Sequence, residues 1–256
     1  MPHHIILSAF GTTTQSRQTY NVLNERIAPH FPNSCVHWIY SSPTVRNNMR
    51  DHQADQVVSL TELLQNLYLD ASESIVVQSL HVMPGHEFHR VVRETRQAQA
   101  KVVIGMPLLT TPDDHQRVAD CLVPIIEAND NKAILILGHG TSHQSWTTYP
   151  TLEKVIRRRA GTRVFVTGLE KYPDSETVID EIADTGFDQV FVIPFLMVAG
   201  MHFQRDIIGE APTSWKSRLN RKKIDLSIHD QGLGLLPGIA EIFCDHIRTA
   251  LINPSP

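Results

Sequence analysis

The sequence predicts an α/β fold of two similar lobes, each a parallel sheet flanked by helices, with the lobes related by a pseudo-dyad. Three observations lead there: short β-branched runs alternate with longer amphipathic stretches, the strand runs are almost continuously apolar, and the two halves repeat. Taken in order, 4–10 (HIILSAF) and 35–40 (CVHWIY) read as strands. A helical pattern over 61–69 precedes the strand 74–82 (SIVVQSLHV), and the helix 87–97 precedes the strand 101–106 (KVVIGM). The helix 116–127 leads to the strand 132–137 (KAILIL), the helix 151–159 to the strand 163–167 (RVFVT), and the helix 175–184 to the strand 188–196 (DQVFVIPFL). A last strand, 225–229 (DLSIH), and a helix over 239–251 close the pattern. In the helices the apolar positions recur three and four apart.

The repeat is visible residue by residue. The segment IILSAFGT at 5–12 sets against ILILGHGT at 134–141, an offset of 129 that carries Phe10 onto His139. Later, IVV through MPGHEF sets against VFV through VAGMHF, an offset of 115 that carries Glu87 onto His202. The division expected is 1–128 for the first lobe and 129–256 for the second, with the active-site cleft between them.

Composition excludes several function classes. With 256 residues, 41% apolar, 20% charged and a net charge of −4, the chain is neither disordered nor basic enough to carry a nucleic-acid footprint. The longest apolar run, 190–201, is interrupted by Pro194 and falls short of the ~20 residues a spanning helix needs. Neither nucleic acid nor membrane is therefore expected as a partner. Cys35, Cys121 and Cys244 form no paired spacing, and the start carries no signal-peptide pattern, so reduced thiols and a cytoplasmic protein are expected. Fourteen histidines stand out, and imidazole is both the commonest metal ligand and the side chain that titrates near neutrality.

Ligands of open α/β sheets bind beyond the carboxyl ends of the strands. His139 and His202 fall there, with Phe10 and Glu87 as their counterparts in the first lobe. Two imidazoles and a carboxylate suit a divalent transition metal or proton transfer. The amides at 11–13 and 140–142 precede helices and are expected to receive substrate carboxylates. Familiar motifs fail: His86-Glu87-Phe88-His89 is one residue short of a zincin helix, Gly138 stands where a histidine phosphatase has arginine, and no phosphate loop exists, so no nucleotide is expected. His81 reads first as a core histidine at a strand end. His86, His89 and His143 read as supporting or solvated, and the Arg157–Arg159 run as a solvated helix end.

Read in order, Ala9-Phe10-Gly11-Thr12, Gln78-Ser79-Leu80-His81-Val82 with Gly85-His86-Glu87, Gly138-His139-Gly140-Thr141-Ser142-His143, Leu196 to His202, and Ser214-Trp215-Lys216 form a set. It resembles the sirohydrochlorin cobalt chelatases of the anaerobic cobalamin pathway, the CbiK type of the ATP-independent class II chelatases, over nearly the whole chain. The resemblance implies a lyase that inserts Co2+ into sirohydrochlorin, with His139 and His202 as metal ligands. It implies Glu87 as the catalytic glutamate, either third ligand or proton acceptor. Phe10, Gly11, Thr12, His81, Gly140 and Thr141 are then the expected substrate contacts. His86 and Met201 depart from the family pattern and leave cobalt, iron and nickel open as the metal substrate. The alternatives are an iron or nickel chelatase on a related tetrapyrrole, and a non-catalytic carrier of tetrapyrrole or metal. The partner implied is sirohydrochlorin, with a homo-oligomer of this chain as the one protein assembly considered.

Overall fold

Two four-stranded parallel sheets carry the fold. In the computed structural model, which describes residues 3–11, 18–52, 58–67, 74–97, 102–200 and 203–253, the first sheet contains β1 (His3–Ala9), β2 (Ser34–Tyr40), β3 (Ser74–Ser79) and β4 (Val102–Gly105) in the order β2-β1-β3-β4. The second contains β5 (Ala133–Gly138), β6 (Val164–Gly168), β7 (Gln189–Phe195) and β8 (Asp225–Ile228) in the order β6-β5-β7-β8. The same order twice is the internal repeat expressed as topology. All the expected strands are present, and only their ends move. The largest change is in β3, which stops at Ser79 and leaves His81 in the loop beyond it. Pro194 is accommodated because it pairs with Leu137 of β5 at a level where the β8 ladder has already ended, at Val192 opposite Ile228.

The helices are α1 (Gln18–Ile27), α2 (Pro43–His52), α3 (Leu60–Asn66), α4 (His86–Gln97), α5 (Pro112–Glu127), α6 (Thr148–Ala160), α7 (Glu176–Asp184), α8 (Trp215–Arg221) and α9 (Ile239–Ile252). Three of these, α1, α2 and α8, are absent from the sequence reading. The first two are polar, and α8 has only seven residues, held by buried Trp215 and Leu219 four apart. Ser214 caps α8 by accepting the Ser217 amide. The start of α5 lies four residues earlier than expected, where Thr111 and Asp114 cap each other's amides and Pro112 opens the first turn.

The compact units do not divide at residue 128. One consists of Met1–Thr110 with Ile239–Pro256, the other of Thr111–Gly238. Two helices account for the difference from the expected boundary. α5 packs on α6, tied by Arg159 to Asp120 and Gln116, while α9 returns to pack on β3, β4 and α1. Each helix goes where its apolar face finds a partner, and chain order does not decide this. In the first unit Ile6, Ile39, Ile75 and Val77 face Leu60 and Leu64 of α3 and Val91 of α4. In the second, Leu135, Leu137, Phe165 and Val192 face Ile179 and Ile182 of α7 and Trp215 and Leu219 of α8.

Within each sheet the crossovers reverse direction next to the first strand, between β1 and β3 and again between β5 and β7. The carboxyl ends of those strand pairs are where ligands of open α/β sheets bind. They carry Phe10 and the stretch 80–87 in one unit, and His139 and the segment 196–200 in the other.

Candidate active site

In the second unit β5 ends at Gly138, a position that must be glycine because the ring of Tyr149 lies against it: a Cβ there would sit 2.5 Å from Tyr149 Cε1 and Oη. Gly140 has φ +79°, and a Cβ on it would meet the Glu170 carbonyl oxygen at 1.8 Å. Both positions exclude a side chain, for reasons of close approach in one case and of conformation as well in the other. The loop between them is fastened on both sides. Leu169 N–H donates to the Gly138 carbonyl at 2.8 Å, Glu170 N–H to the His139 carbonyl at 3.1 Å, and Thr141 N–H to the Tyr172 carbonyl at 3.0 Å. His139 is thereby held out, exposed, on a rigid backbone.

The Gly140 amide donates to the Tyr149 hydroxyl at 2.9 Å. Burial pushes the Tyr149 pKa up to about 12, so the phenol stays protonated, the Gly140 amide acting in the opposite direction. In the first unit Gly11, at φ +99°, donates in the same way to the Tyr20 hydroxyl at 3.2 Å. Glycine and tyrosine recur here at the offset of 129 that relates Phe10 to His139. The repeat thus extends to a shared hydrogen bond. These bonds correct one expectation: the amides of Gly11, Gly140 and Thr141 already have acceptors within the protein and are not free for substrate carboxylates. Thr12 and Thr13 lie outside the described residues, as does His202. Gly200 ends the stretch before His202, and a π-helical turn, Phe203–Ile207, follows it.

Thr141 has a structural part, its Oγ1 accepting the His143 amide at 3.0 Å. His143 in turn caps the 3-10 turn Gln144–Thr147, its Nδ1 accepting the Ser145 amide at 3.1 Å. Arg157 is no solvated helix end: it donates to the Val164 carbonyl and pairs with Glu153 at 3.0 Å.

The first unit brings Phe10, His81 and Glu87 to the ends of β1 and β3. Phe10 is 43% exposed. Glu87 lies in the first turn of α4, where its charge complements the helix dipole. Its Oε2 accepts from the Ser41 hydroxyl at 2.9 Å and from Arg90 Nη1 at 3.2 Å. The Ser41 hydroxyl also meets His81 Nε2 at 3.0 Å, and His81 Nδ1 meets the Ser79 hydroxyl at 2.8 Å. Desolvation pushes the His81 pKa down to about 4, and the positive charge of Arg90 adds to the effect. His81 is therefore a neutral, hydrogen-bonded ring bound into the surroundings of Glu87. His86 and His89 are exposed on α4.

The sequence reading missed Ser41, Arg90, Glu170 and Tyr172. Glu170 follows β6, the neighbour of β5, and its backbone is bonded to that of His139. Its charge reaches the turn after His202: Arg205 has its pKa raised chiefly by Asp206, with Glu170 contributing. The signal lay in strand pairing, since Gly138 is opposite Gly168 and so sets residue 170 beside 139. Tyr172, 55% exposed and tilted against Trp146, follows in the same loop. Among the described residues, no three His, Cys, Asp or Glu side chains converge as a metal-ligand set, and no helix is long and apolar enough to cross a membrane.

Comparison with known proteins gives these features a common context. The chain is 28% identical over 255 residues to the sirohydrochlorin cobaltochelatase CbiKC of Nitratidesulfovibrio vulgaris Hildenborough, covering 96% of this chain and 90% of that protein. It is 26% identical over 260 residues to the sirohydrochlorin cobaltochelatase of Salmonella typhimurium LT2, covering 98% and 97%. Among solved structures, SirB from Bacillus subtilis with Fe3+ shares the fold at a TM-score of 0.66 and 14% identity, over 99% of this chain and 97% of that one. The cobalt chelatase (CbiK) family model matches residues 3–252, and the chain belongs to that family.

Proposed function

We propose that this protein inserts divalent cobalt, its metal substrate, into sirohydrochlorin without consuming a nucleotide. The observation that carries the reading is His139, exposed on a loop clamped at Gly138 and Gly140 at the switch point of a cobalt chelatase family fold. The reaction named for both curated relatives is the one proposed.

In this reading His139 and His202 hold the incoming ion through neutral imidazole nitrogens, and Glu170, whose amide donates to the His139 carbonyl, supplies a further carboxylate ligand. Such ligands accept Co2+, Fe2+ and Ni2+ alike, so the ligand set by itself does not select cobalt. Insertion exchanges two pyrrolic protons for the metal. Glu87, hydrogen-bonded by Ser41 and Arg90, is the proton acceptor. The exposed rings of Phe10 and Tyr172 offer apolar faces to the flat macrocycle. A cytoplasmic setting accords with three free thiols.

The test mixes purified protein, sirohydrochlorin and Co2+, and follows the absorbance of the macrocycle with and without ATP. Turnover should be the same in both cases. Binding without turnover would make the protein a carrier, and a strict need for ATP would refute the proposal. Competition among Co2+, Fe2+ and Ni2+ in one vessel identifies the metal; preferential insertion of iron or nickel would replace cobalt in the reading. Glu170→Gln should raise the metal concentration for half-maximal rate, while Glu87→Gln should lower the rate at saturating metal.

A further inference from the structure

The hydrogen bonds behind Glu87 have a direction. An ionised carboxylate only accepts, so the Ser41 hydroxyl commits its one proton to Glu87 Oε2. Towards His81 it can then only accept, which makes Nε2 the protonated nitrogen of a neutral ring. The other nitrogen, Nδ1, accepts from the Ser79 hydroxyl, whose oxygen also takes the His81 amide at 3.4 Å. Every donor points towards Glu87. Ser79 is fully buried at the end of β3, so the chain stops in the interior. It is badly built for carrying a proton away from Glu87, because His81 has no free lone pair to receive one.

The array is instead well built for holding. Ser41 is 2% exposed and fixed through its backbone: its amide donates to the Ala9 carbonyl at 2.7 Å, and its carbonyl accepts from Arg46 at 3.0 Å and Arg90 at 3.3 Å. Among the described residues, all the hydrogen bonds to Glu87 fall on Oε2.

We propose that Ser41 and His81 are positioning residues of the insertion reaction, which pin Glu87 through Oε2 and leave Oε1 as the oxygen that meets the pyrrolic protons. This rests on the reading of Glu87 as proton acceptor. The low His81 pKa supports it, since a ring that stays neutral keeps the donor order intact at working pH. A proton taken up at Oε1 does not leave through His81.

The experiment is steady-state cobalt insertion by the full chain, with folding checked by circular dichroism and thermal melting. Ser41→Ala removes one oxygen and should lower turnover at saturating metal about tenfold, the scale of one hydrogen bond to a charged group. The metal concentration for half-maximal rate should move less than about twofold, because the metal ligands are untouched. Ser41→Thr keeps the hydroxyl and should restore most of the rate. His81→Phe should follow Ser41→Ala. Adding Ser41→Ala to Glu87→Gln should cost nothing further, since the two act as one unit. If Ser41→Ala does not fold, Ser41→Cys, nearly isosteric and a weak donor, should give an intermediate rate. A folded Ser41→Ala or Ser41→Cys enzyme with wild-type turnover overturns the proposal, as does a Ser41→Thr enzyme no better than Ser41→Ala, or a full further loss in the Glu87→Gln background. A collapsed Glu87→Gln beside an unimpaired Ser41→Ala removes only the positioning role; an unimpaired Glu87→Gln removes the proton-acceptor reading and this proposal with it.

Discussion

Tyr20 and Tyr149 do the same work in the two units, each accepting the amide of a glycine that must turn with positive φ just past the first strand of its sheet. Removing the hydroxyl strands a donor. Tyr149→Phe and Tyr20→Phe should each cost about 1 to 3 kcal/mol, the penalty of an amide left unpaired, the larger for Tyr20, whose bond is the more buried, measured by chemical denaturation. Gly140→Ala should cost more than about 2 kcal/mol, because the left-handed backbone and the Glu170 carbonyl both oppose a Cβ. An alanine enzyme of wild-type stability would show that the 138–141 loop can rearrange. His81 makes a prediction about pH. Its folded pKa, about 4, lies below the ordinary 6.5, so the folded state prefers the neutral ring. Above pH 6.5 both states are neutral and its contribution is complete. As pH falls from 6.5 towards 4 the unfolded chain binds a proton that the folded one refuses. Stability should therefore drop, by at most about 3 kcal/mol, and level off below pH 4. In His81→Gln this part of the pH slope should vanish; an unchanged slope would assign it to other groups.

At the scale of elements, what the periodicity of apolar residues can reveal depends on length and on burial. The strands were all legible, most clearly β5, apolar throughout, and β6, apolar but for Thr167, both buried at every position. α1 and α2 were not, because polar residues such as Gln, Asn, Arg and Thr fill most of their positions and dilute the apolar pattern, although Tyr20, Leu23 and Ile27 of α1 are buried, and tertiary contacts hold them where propensity does not. α5 is a contrast: its Thr111-Pro112-Asp113-Asp114 start is a readable capping signal that an apolar-periodicity search passes over. Thr111→Ala should lower stability by about 1 kcal/mol through loss of the cap, and should do so in the unit that contains α5. Hydrogen exchange would locate the change, with faster exchange expected at the amides of 113–115.

At the scale of the whole molecule, α9 crosses the sequence boundary to complete a unit whose other residues end at 110. Residues 111–238 are a continuous chain with their own sheet, helices α5 to α8 and core. Expressed alone, 111–238 should fold and melt cooperatively. Residues 1–128 alone should not: they leave β3 and β4 without α9 and carry α5 without α6. A cooperative transition for 1–128 together with an unfolded 111–238 would reverse this division.

The sequence alone determined the strand–helix alternation, the duplication, and the positions of Phe10, His139 and Glu87 beyond the ends of strands that flank each switch point. These are local quantities: apolar runs, periodicities and offsets are written along the chain. Tertiary structure decided which helix completes which unit, that the Gly11 and Gly140 amides belong to tyrosines nine residues on, and that Glu170 stands beside His139. It also decided that Ser41 joins His81 to Glu87, residues 40 and 46 positions away from it. No pattern of spacing encodes such meetings, because they depend on which strands lie side by side and how their ends are held, and strand order is a property of the folded sheet.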